Sequence, residues 1–196
     1  MKKITSLAVI ICLTALVIFS SCSQKHPIEE FKARMENAES YQMTVTMSDI
    51  PVFGSITMAY EIDGNIQHSS AVELMGQEEY YLEALEDSAY MYTKNSYGRW
   101  TKTQVTLAES SSDFTSEETI NELFDTNNYE KVKDEDNTYK QKKDVVFDGY
   151  DEVVIFVGEN ACTIEMNVIT EDGFACATKI VISKIGEVEL VLPQLG

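Results

Sequence analysis

Cys22 is the residue whose type and position most clearly indicate chemistry. It follows two basic residues, Lys2 and Lys3, an uncharged run over residues 4–19, and the small residues Ser20 and Ser21. A basic start, a short apolar run and small residues at its end are typical of a secretory signal peptide that is cut after the small residues. Residues 1–21 are therefore predicted to be a signal peptide, which leaves the thiol of Cys22 at the start of the exported chain.

Phe19-Ser20-Ser21-Cys22 resembles the lipobox of bacterial lipoproteins. In that family the cysteine thiol receives a diacylglyceryl group, the peptide is cut just before it, and acyl chains such as palmitate form the anchor. The resemblance implies lipid attachment at Cys22 and an extracytoplasmic domain held at the cell membrane. The alternative is an uncleaved anchor, but the run is short for the roughly 20 apolar residues that a spanning helix needs.

The charge and length of the chain limit its partners and its domain count. The net charge is −18, and removal of residues 1–21 with their two lysines moves it to −20. Such a surface repels nucleic acid and anionic head groups, so we expect no nucleic-acid partner and a membrane contact made through the lipid alone. We predict a lipidated tether over residues 22–27 and a single domain over residues 28–196.

Signals of catalysis are absent or isolated. The sequence has no G-x-S-x-G, H-E-x-x-H or C-x-x-C motif and no glycine-rich phosphate loop. His68 stands beside Ser69, but a nucleophile also needs an orienting third group, so we predict a hydrogen-bonded strand histidine. Asp134, Glu135 and Asp136 lack the spacing of a calcium loop and are interpreted as a solvated turn. We therefore expect a protein that is not an enzyme, with no metal and no cofactor.

Hydrophobic periodicity predicts two helices and two runs of strands. Apolar residues recur at helical spacing over 28–38, and a capping box of Thr115 and Glu118 opens a second, short helix. Between them an alternating pattern predicts six strands, and a second run of strands follows the short helix, starting with a polar edge hairpin near Lys131. A last strand is predicted over residues 188–192. The fold class is α+β, with one large antiparallel sheet.

This order of elements resembles bacterial lipoproteins with the LolA-like or LppX-like fold. The segments that carry the resemblance are Ser40-Tyr41-Gln42-Met43-Thr44-Val45, Met58-Ala59-Tyr60-Glu61-Ile62-Asp63-Gly64, Tyr80-Tyr81-Leu82, Ile182-Ser183-Lys184-Ile185-Gly186 and Glu189-Leu190-Val191-Leu192-Pro193. The resemblance implies a curved sheet, a half-barrel, packed on an N-terminal helix and a short middle helix. It also implies that an acyl chain or another hydrophobic ligand binds between the sheet and the helices.

Five residues of the first hairpin are the candidate ligand-binding residues. They are predicted to point inward: Met43, Val45, Met47, Ile56 and Met58. Methionine is flexible and suits surfaces that accept varied apolar shapes, although these residues would equally fill an ordinary core. The principal hypothesis is a lipid-anchored protein that binds or carries a lipid-like ligand at these residues.

The alternative hypothesis is a cell-surface interaction or sensor module with a filled core and an aromatic outer face. It depends on six aromatic residues of neighbouring strands, which form either cross-strand pairs or a platform for glycan or peptide: Tyr80, Tyr81, Tyr90, Tyr92, Tyr97 and Trp100.

Two cysteines remain in the mature chain beside Cys22. Cys162 and Cys176 lie on one predicted hairpin that turns at residues 171–173. If Val168 faces Phe174, the two sulfurs are several residues apart along the sheet, too far for a disulfide. We therefore predict two reduced, buried thiols.

Overall fold

The computed structural model describes residues 25–52, 54–73, 76–85, 88–106, 117–170 and 172–196. The predicted signal peptide, Cys22 and the predicted capping residue Thr115 lie outside the described residues. The described residues include two helices, α1 (Pro27–Ala38) and α2 (Glu117–Leu123), and a 3-10 turn follows α2 at Thr126–Asn128. Neither helix is long and apolar enough to cross a membrane.

Eleven strands are found in the described part of the chain. They are β1 (Ser40–Ile50), β2 (Gly54–Asp63), β3 (Ile66–Glu73), β4 (Gly76–Leu85), β5 (Ser88–Lys94), β6 (Trp100–Val105), β7 (Tyr129–Lys131), β8 (Thr138–Gln141), β9 (Tyr150–Val157), β10 (Cys162–Ile169) and β11 (Ala175–Ser183). All pair antiparallel in one sheet, in the order β6-β5-β4-β3-β2-β1-β11-β10-β9-β8-β7. The predicted α+β class and its large antiparallel sheet are confirmed.

The sheet consists of two meanders joined at one seam. Strands β1 to β6 and strands β7 to β11 each follow one another in the chain, as alternating patterns and short turns predict. The seam pairs β1 with β11, for example Val45 with Ile180. The predicted polar hairpin near Lys131 is β7 and β8, and β7 forms one edge of the sheet, as predicted.

Helix α1 begins where its sequence favours a helix start. Pro27 occupies the first turn, and His26 caps the helix by accepting a hydrogen bond from Ile28 N at 3.4 Å on its Nδ1. The His26 ring also packs on Tyr139, with centroids 4.6 Å apart. His26, predicted to be a tether residue, therefore belongs to the folded domain.

The buried core lies between the helices and one face of the sheet, here called the helix side. Ile28, Phe31 and Met35 of α1 share this core with Leu123 of α2 and with side chains of β1, β2 and β7 to β11. Phe31 stacks on Phe124 at a centroid distance of 6.1 Å and joins the two helical segments. The opposite face of the sheet is called the outer face below.

The hairpin of β10 and β11 has a register two residues away from the predicted one. Val168 faces Cys176 rather than Phe174, because the loop closes between Thr170 and Phe174. Thr170 N donates to Phe174 O at 2.9 Å, and the Thr170 hydroxyl accepts from Phe174 N at 3.1 Å. Cys162 now faces Ile182, and both thiols are free and buried, as predicted.

The predicted last strand over residues 188–192 is wrong. Residues 184–196 form no strand and pair with neither edge strand of the sheet as a ladder. Instead, Leu190 N donates to the Asp63 carboxylate at 3.0 Å, and Gly196 N lies 3.5 Å from Trp100 O on β6. The tail thus passes from the β2–β3 turn towards the β6 edge.

Candidate functional site

The five predicted ligand-binding residues lie together on the helix side of the first hairpin. Val45 faces Met58 and Met47 faces Ile56 in the register of β1 and β2. Met43 and Val45 are buried in the core at 1% and 0% exposure, whereas the other three side chains are only partly buried. Met47 and Met58 pack against the core cluster.

A second group of side chains comes together on the outer face of strands β2 to β6. Cross-strand pairing places Glu61, His68, Tyr81, Tyr92 and Lys102 in one row across five strands. Alternation along each strand adds five further residues to the same face. This group is called the aromatic face, and it consists of Glu61, His68, Glu79, Tyr81, Glu83, Tyr90, Tyr92, Lys94, Trp100 and Lys102.

The aromatic face contains four of the six aromatic residues that the sequence singled out. Tyr80 alternates with Tyr81 and so points to the helix side, and Tyr97 lies in the β5–β6 turn, 86% exposed. The remaining four, Tyr81, Tyr90, Tyr92 and Trp100, all point outward. The group is thus smaller than predicted, and charged residues that the sequence analysis did not select lie among its rings.

His68 is held between two carboxylates, as a structural strand histidine would be. Its Nδ1 lies 2.9 Å from Glu61 Oε2, and its Nε2 lies 3.2 Å from Glu79 Oε1. Its ring stacks on Tyr81 at 4.4 Å. Both ring nitrogens therefore have carboxylate partners on the face itself, and among the described residues no serine hydroxyl is bonded to this ring.

Lys94 occupies the first of two cation sites on the aromatic face. Its Nζ donates to Glu79 Oε2 at 2.7 Å and lies 4.7 Å from the centroid of the Trp100 ring. The Trp100 and Tyr81 rings pack edge to face, with their centroids 5.4 Å apart. The hydrogen bond from Lys94 lowers the pKa of Glu79. A recess of about 460 Å³ opens beside this site where β5 ends short of β4, lined in part by Tyr80 and Thr93.

Lys102 occupies the second cation site. Its Nζ lies over the Tyr90 and Tyr92 rings, 4.0 and 5.0 Å from their centroids, and 3.0 Å from Glu83 Oε2. The Tyr92 hydroxyl donates to the same carboxylate oxygen at 2.7 Å. That bond lowers the pKa of Glu83, and burial raises the pKa of Tyr92. Both sites therefore combine an ammonium, a carboxylate and aromatic rings.

The outer face of β10 and β11 provides a contrast within the same sheet. Lys179 Nζ pairs with Glu165 Oε1 at 2.9 Å, and both side chains are more than half exposed. Within the described part of the chain, no aromatic ring lies under the Lys179 ammonium. This pair has the charges of the cation sites without their rings.

The two described cysteines, Cys162 and Cys176, are both buried. Burial raises the pKa of the Cys162 thiol to about 12, which suits a core side chain rather than a nucleophile. Over residues 25–52, 54–73, 76–85, 88–106, 117–170 and 172–196, no group of three or more histidine, cysteine, aspartate or glutamate side chains could hold a metal ion.

The charged members of the aromatic face left only a weak signal in the sequence. Glu83 stands two residues from Tyr81, Lys94 two from Tyr92, and Lys102 two from Trp100. In strands, that spacing places each charged residue on the same face as its aromatic neighbour. Which ring each lysine reaches depends on the pairing between strands, which the spacing does not give.

Two comparisons of the chain with known proteins gave no match. No protein-family model matches the chain. A search of curated proteins found no match either.

Proposed function

We propose that the protein is an extracytoplasmic lipoprotein, anchored to the cell membrane through Cys22, that works as an interaction module with the aromatic face as its binding surface. The observation that carries the proposal is the concentration of four rings and two ring-bound lysines on the outer face, away from the core. Aromatic residues, above all tryptophan and tyrosine, are the usual anchors of protein interfaces.

The anchoring half of this proposal rests on the sequence before the first helix. Helix α1 begins at Pro27, five residues after Cys22. Five residues reach at most about 15–20 Å, so a lipid on Cys22 would keep the domain close to the bilayer. The order of helix, meander, helix and meander supports a LolA-like half-barrel as the fold.

Replacement of the acylated cysteine tests the anchor. The variant Cys22→Ser should leave the membrane fraction or remain uncleaved, because a hydroxyl cannot take the thioether-linked lipid. Membrane fractionation and the migration of the protein measure both outcomes. A variant that fractionates and migrates as the wild type does would show that no lipid is attached at this position.

Site-specific photo-crosslinking in the native cells tests the binding surface. A photoreactive residue at Gln104, which lies in the outward row beside Tyr90, should give a discrete adduct. The matched position is Ala177 on the outer face of β11, which should give none. The Gln104 adduct should also disappear when Trp100 and Tyr90 are both changed to serine. Equal adducts from both positions would contradict a binding role for the aromatic face.

A second candidate function is the binding or carriage of a hydrophobic ligand on the helix side. The observation that favours it is the partial burial of Met47, Ile56 and Met58, which leaves apolar area accessible on the first hairpin. If space exists there, Met47→Trp should block binding of a fluorescent fatty acid at little cost in stability. If the site is solid core, the variant should lose about 1–3 kcal/mol of unfolding free energy, and the wild type should bind no fatty acid.

A further inference from the structure

We propose that the aromatic face binds an extended basic peptide segment, whose lysine or arginine side chains take the places of Lys94 and Lys102. The inference rests on the proposed function of the aromatic face and names its ligand class. The geometry points to a cation because each site already holds one: an ammonium lies against a carboxylate and over aromatic rings. Aromatic rings attract cations through their negative faces.

Both resident lysines can be exchanged for a ligand cation. The Lys94 side chain is 46% exposed and that of Lys102 is 31% exposed, so each can swing into solvent without opening the core. An exposed ion pair contributes little to stability, since water and salt screen it. The carboxylates and rings would remain in place, because Glu79 also contacts His68 and Glu83 also accepts from Tyr92.

The spacing of the two sites matches an extended chain. Trp100 and Lys102 are two residues apart on β6, which is about 7 Å at the rise of a strand, and Glu79 and Glu83 are four apart on β4, about 14 Å. Side chains at alternate positions of an extended peptide point the same way and are also about 7 Å apart. The fitting ligand therefore carries two cationic residues on the same side of an extended segment, two or four positions apart.

The charge of the whole chain selects the same kind of partner. With a net charge of −18, the protein attracts basic segments over long range and repels a second copy of itself. Arginine suits these sites as well as lysine, since its planar guanidinium stacks on rings while pairing with a carboxylate. A basic peptide is thus favoured over self-association at this face.

A peptide titration, with tryptophan fluorescence as the readout, tests the proposal directly. Trp100 is the single tryptophan of the sequence and lies within the first site, so its emission reports on the site. The mature lipidated protein in neutral detergent is titrated with threonine peptides that carry two lysines, either two or four positions apart. A peptide of the same composition with its two lysines adjacent is the spacing control, because adjacent side chains of an extended segment point opposite ways. At least one of the spaced peptides should bind about tenfold more tightly than the control, since each exposed cation–ring contact is weak but two act together.

Variants separate the cation sites from general charge attraction. The double variant Glu79→Gln with Glu83→Gln should weaken binding about tenfold. The double variant Glu130→Gln with Glu165→Gln removes the same charge and should leave binding within about twofold, because neither of these ion pairs has a described ring against its lysine.

Removal of the resident lysines should have the opposite effect. The double variant Lys94→Gln with Lys102→Gln should bind more tightly than the wild type, because both sites are then empty. The matched double variant Lys140→Gln with Lys179→Gln removes the same charge and should give a clearly smaller gain.

Three results would overturn the proposal. They are equal affinity for peptides with spaced and with adjacent lysines, equal loss with Glu130→Gln and Glu165→Gln combined, and a gain on removal of Lys94 and Lys102 no larger than that on removal of Lys140 and Lys179. A Gln104 adduct with a partner that lacks basic segments would overturn the cationic ligand while leaving the interaction module intact. Absence of any Gln104 adduct, together with absence of peptide binding, would contradict both.

Discussion

Two cross-strand rows of the same sheet differ in the exposure of their side chains and in the interactions that join them. The row Ile155, Ile164, Ile180 and Val45 crosses the seam on the helix side, and each member is at most 1% exposed. The row Glu61, His68, Tyr81, Tyr92 and Lys102 crosses the other half on the outer face. The first row is joined by apolar packing, the second by ion pairs, hydrogen bonds and ring contacts.

The difference divides the sheet into a part that holds the fold together and a part whose contacts cost little to change. Complete burial of an isoleucine or valine side chain contributes about 1.5–3 kcal/mol, so the seam row holds the two meanders together. Exposed ion pairs contribute about 0–1 kcal/mol each, so the aromatic face can change its contacts without unfolding the sheet.

The largest expected difference is in the labelling of the buried thiols, which should change completely between the native and the unfolded protein. In the mature chain with Cys22→Ser, a thiol reagent at pH 8 should label neither Cys162 nor Cys176 in the native state and both after unfolding. Burial and the raised pKa of Cys162 keep the reactive thiolate scarce in the folded protein. Mass spectrometry counts the labels. Two labels in the native protein would show that the core half opens readily, and none after unfolding would show a disulfide.

Truncation of Phe31 should cost more stability than any single change on the aromatic face. This side chain is fully buried and joins both helical segments to the core, so Phe31→Ala should lower the unfolding free energy by about 3–5 kcal/mol. Urea denaturation measures the loss. Tyr90→Ala is the matched aromatic change on the outer face and should cost clearly less. Similar losses for the two variants would contradict the division between the halves.

Removal of a tyrosine hydroxyl should distinguish the halves on a finer scale. Tyr129 donates to Leu123 O at 2.9 Å in the core, and Tyr129→Phe would leave that carbonyl without this donor, at a cost of about 1–2 kcal/mol. Tyr92→Phe should cost less, because Glu83 keeps its contact with Lys102. Urea denaturation of both variants tests the order, and a larger loss for Tyr92→Phe would reverse it.

The smallest expected effect is the pH dependence of the first cation site. The folded pKa of Glu79 is lowered by Lys94, so the stabilisation by this pair is present above the unfolded pKa and is lost as the pH falls through the folded pKa. The difference in urea midpoint between the wild type and Glu79→Gln should therefore shrink as the pH falls from 7 to 3. A difference that stays constant over this range would show that the carboxylate charge is not involved.

Prediction from the sequence succeeded where the structure depends on neighbours in the chain. Helix α1 and the strands of the first meander were predicted because apolar spacing and short turns act over a few residues. The inward direction of Met43 and Val45 follows from the same alternation. The register of β10 and β11 was not predicted, because the hydrogen bonds of the loop from Thr170 to Phe174 decide it.

The helices, most strands and the face on which each strand residue lies could be predicted from the sequence, because these properties depend on local periodicity. The pairing of β1 with β11, more than a hundred residues away, could be seen in the tertiary structure alone. The same is true of the tail after β11, which forms no strand. The positions of Lys94 over Trp100 and of Lys102 over Tyr90 likewise come from the tertiary structure. Contacts between strands depend on the register of every hairpin between them, and that register is set by packing and turn geometry together.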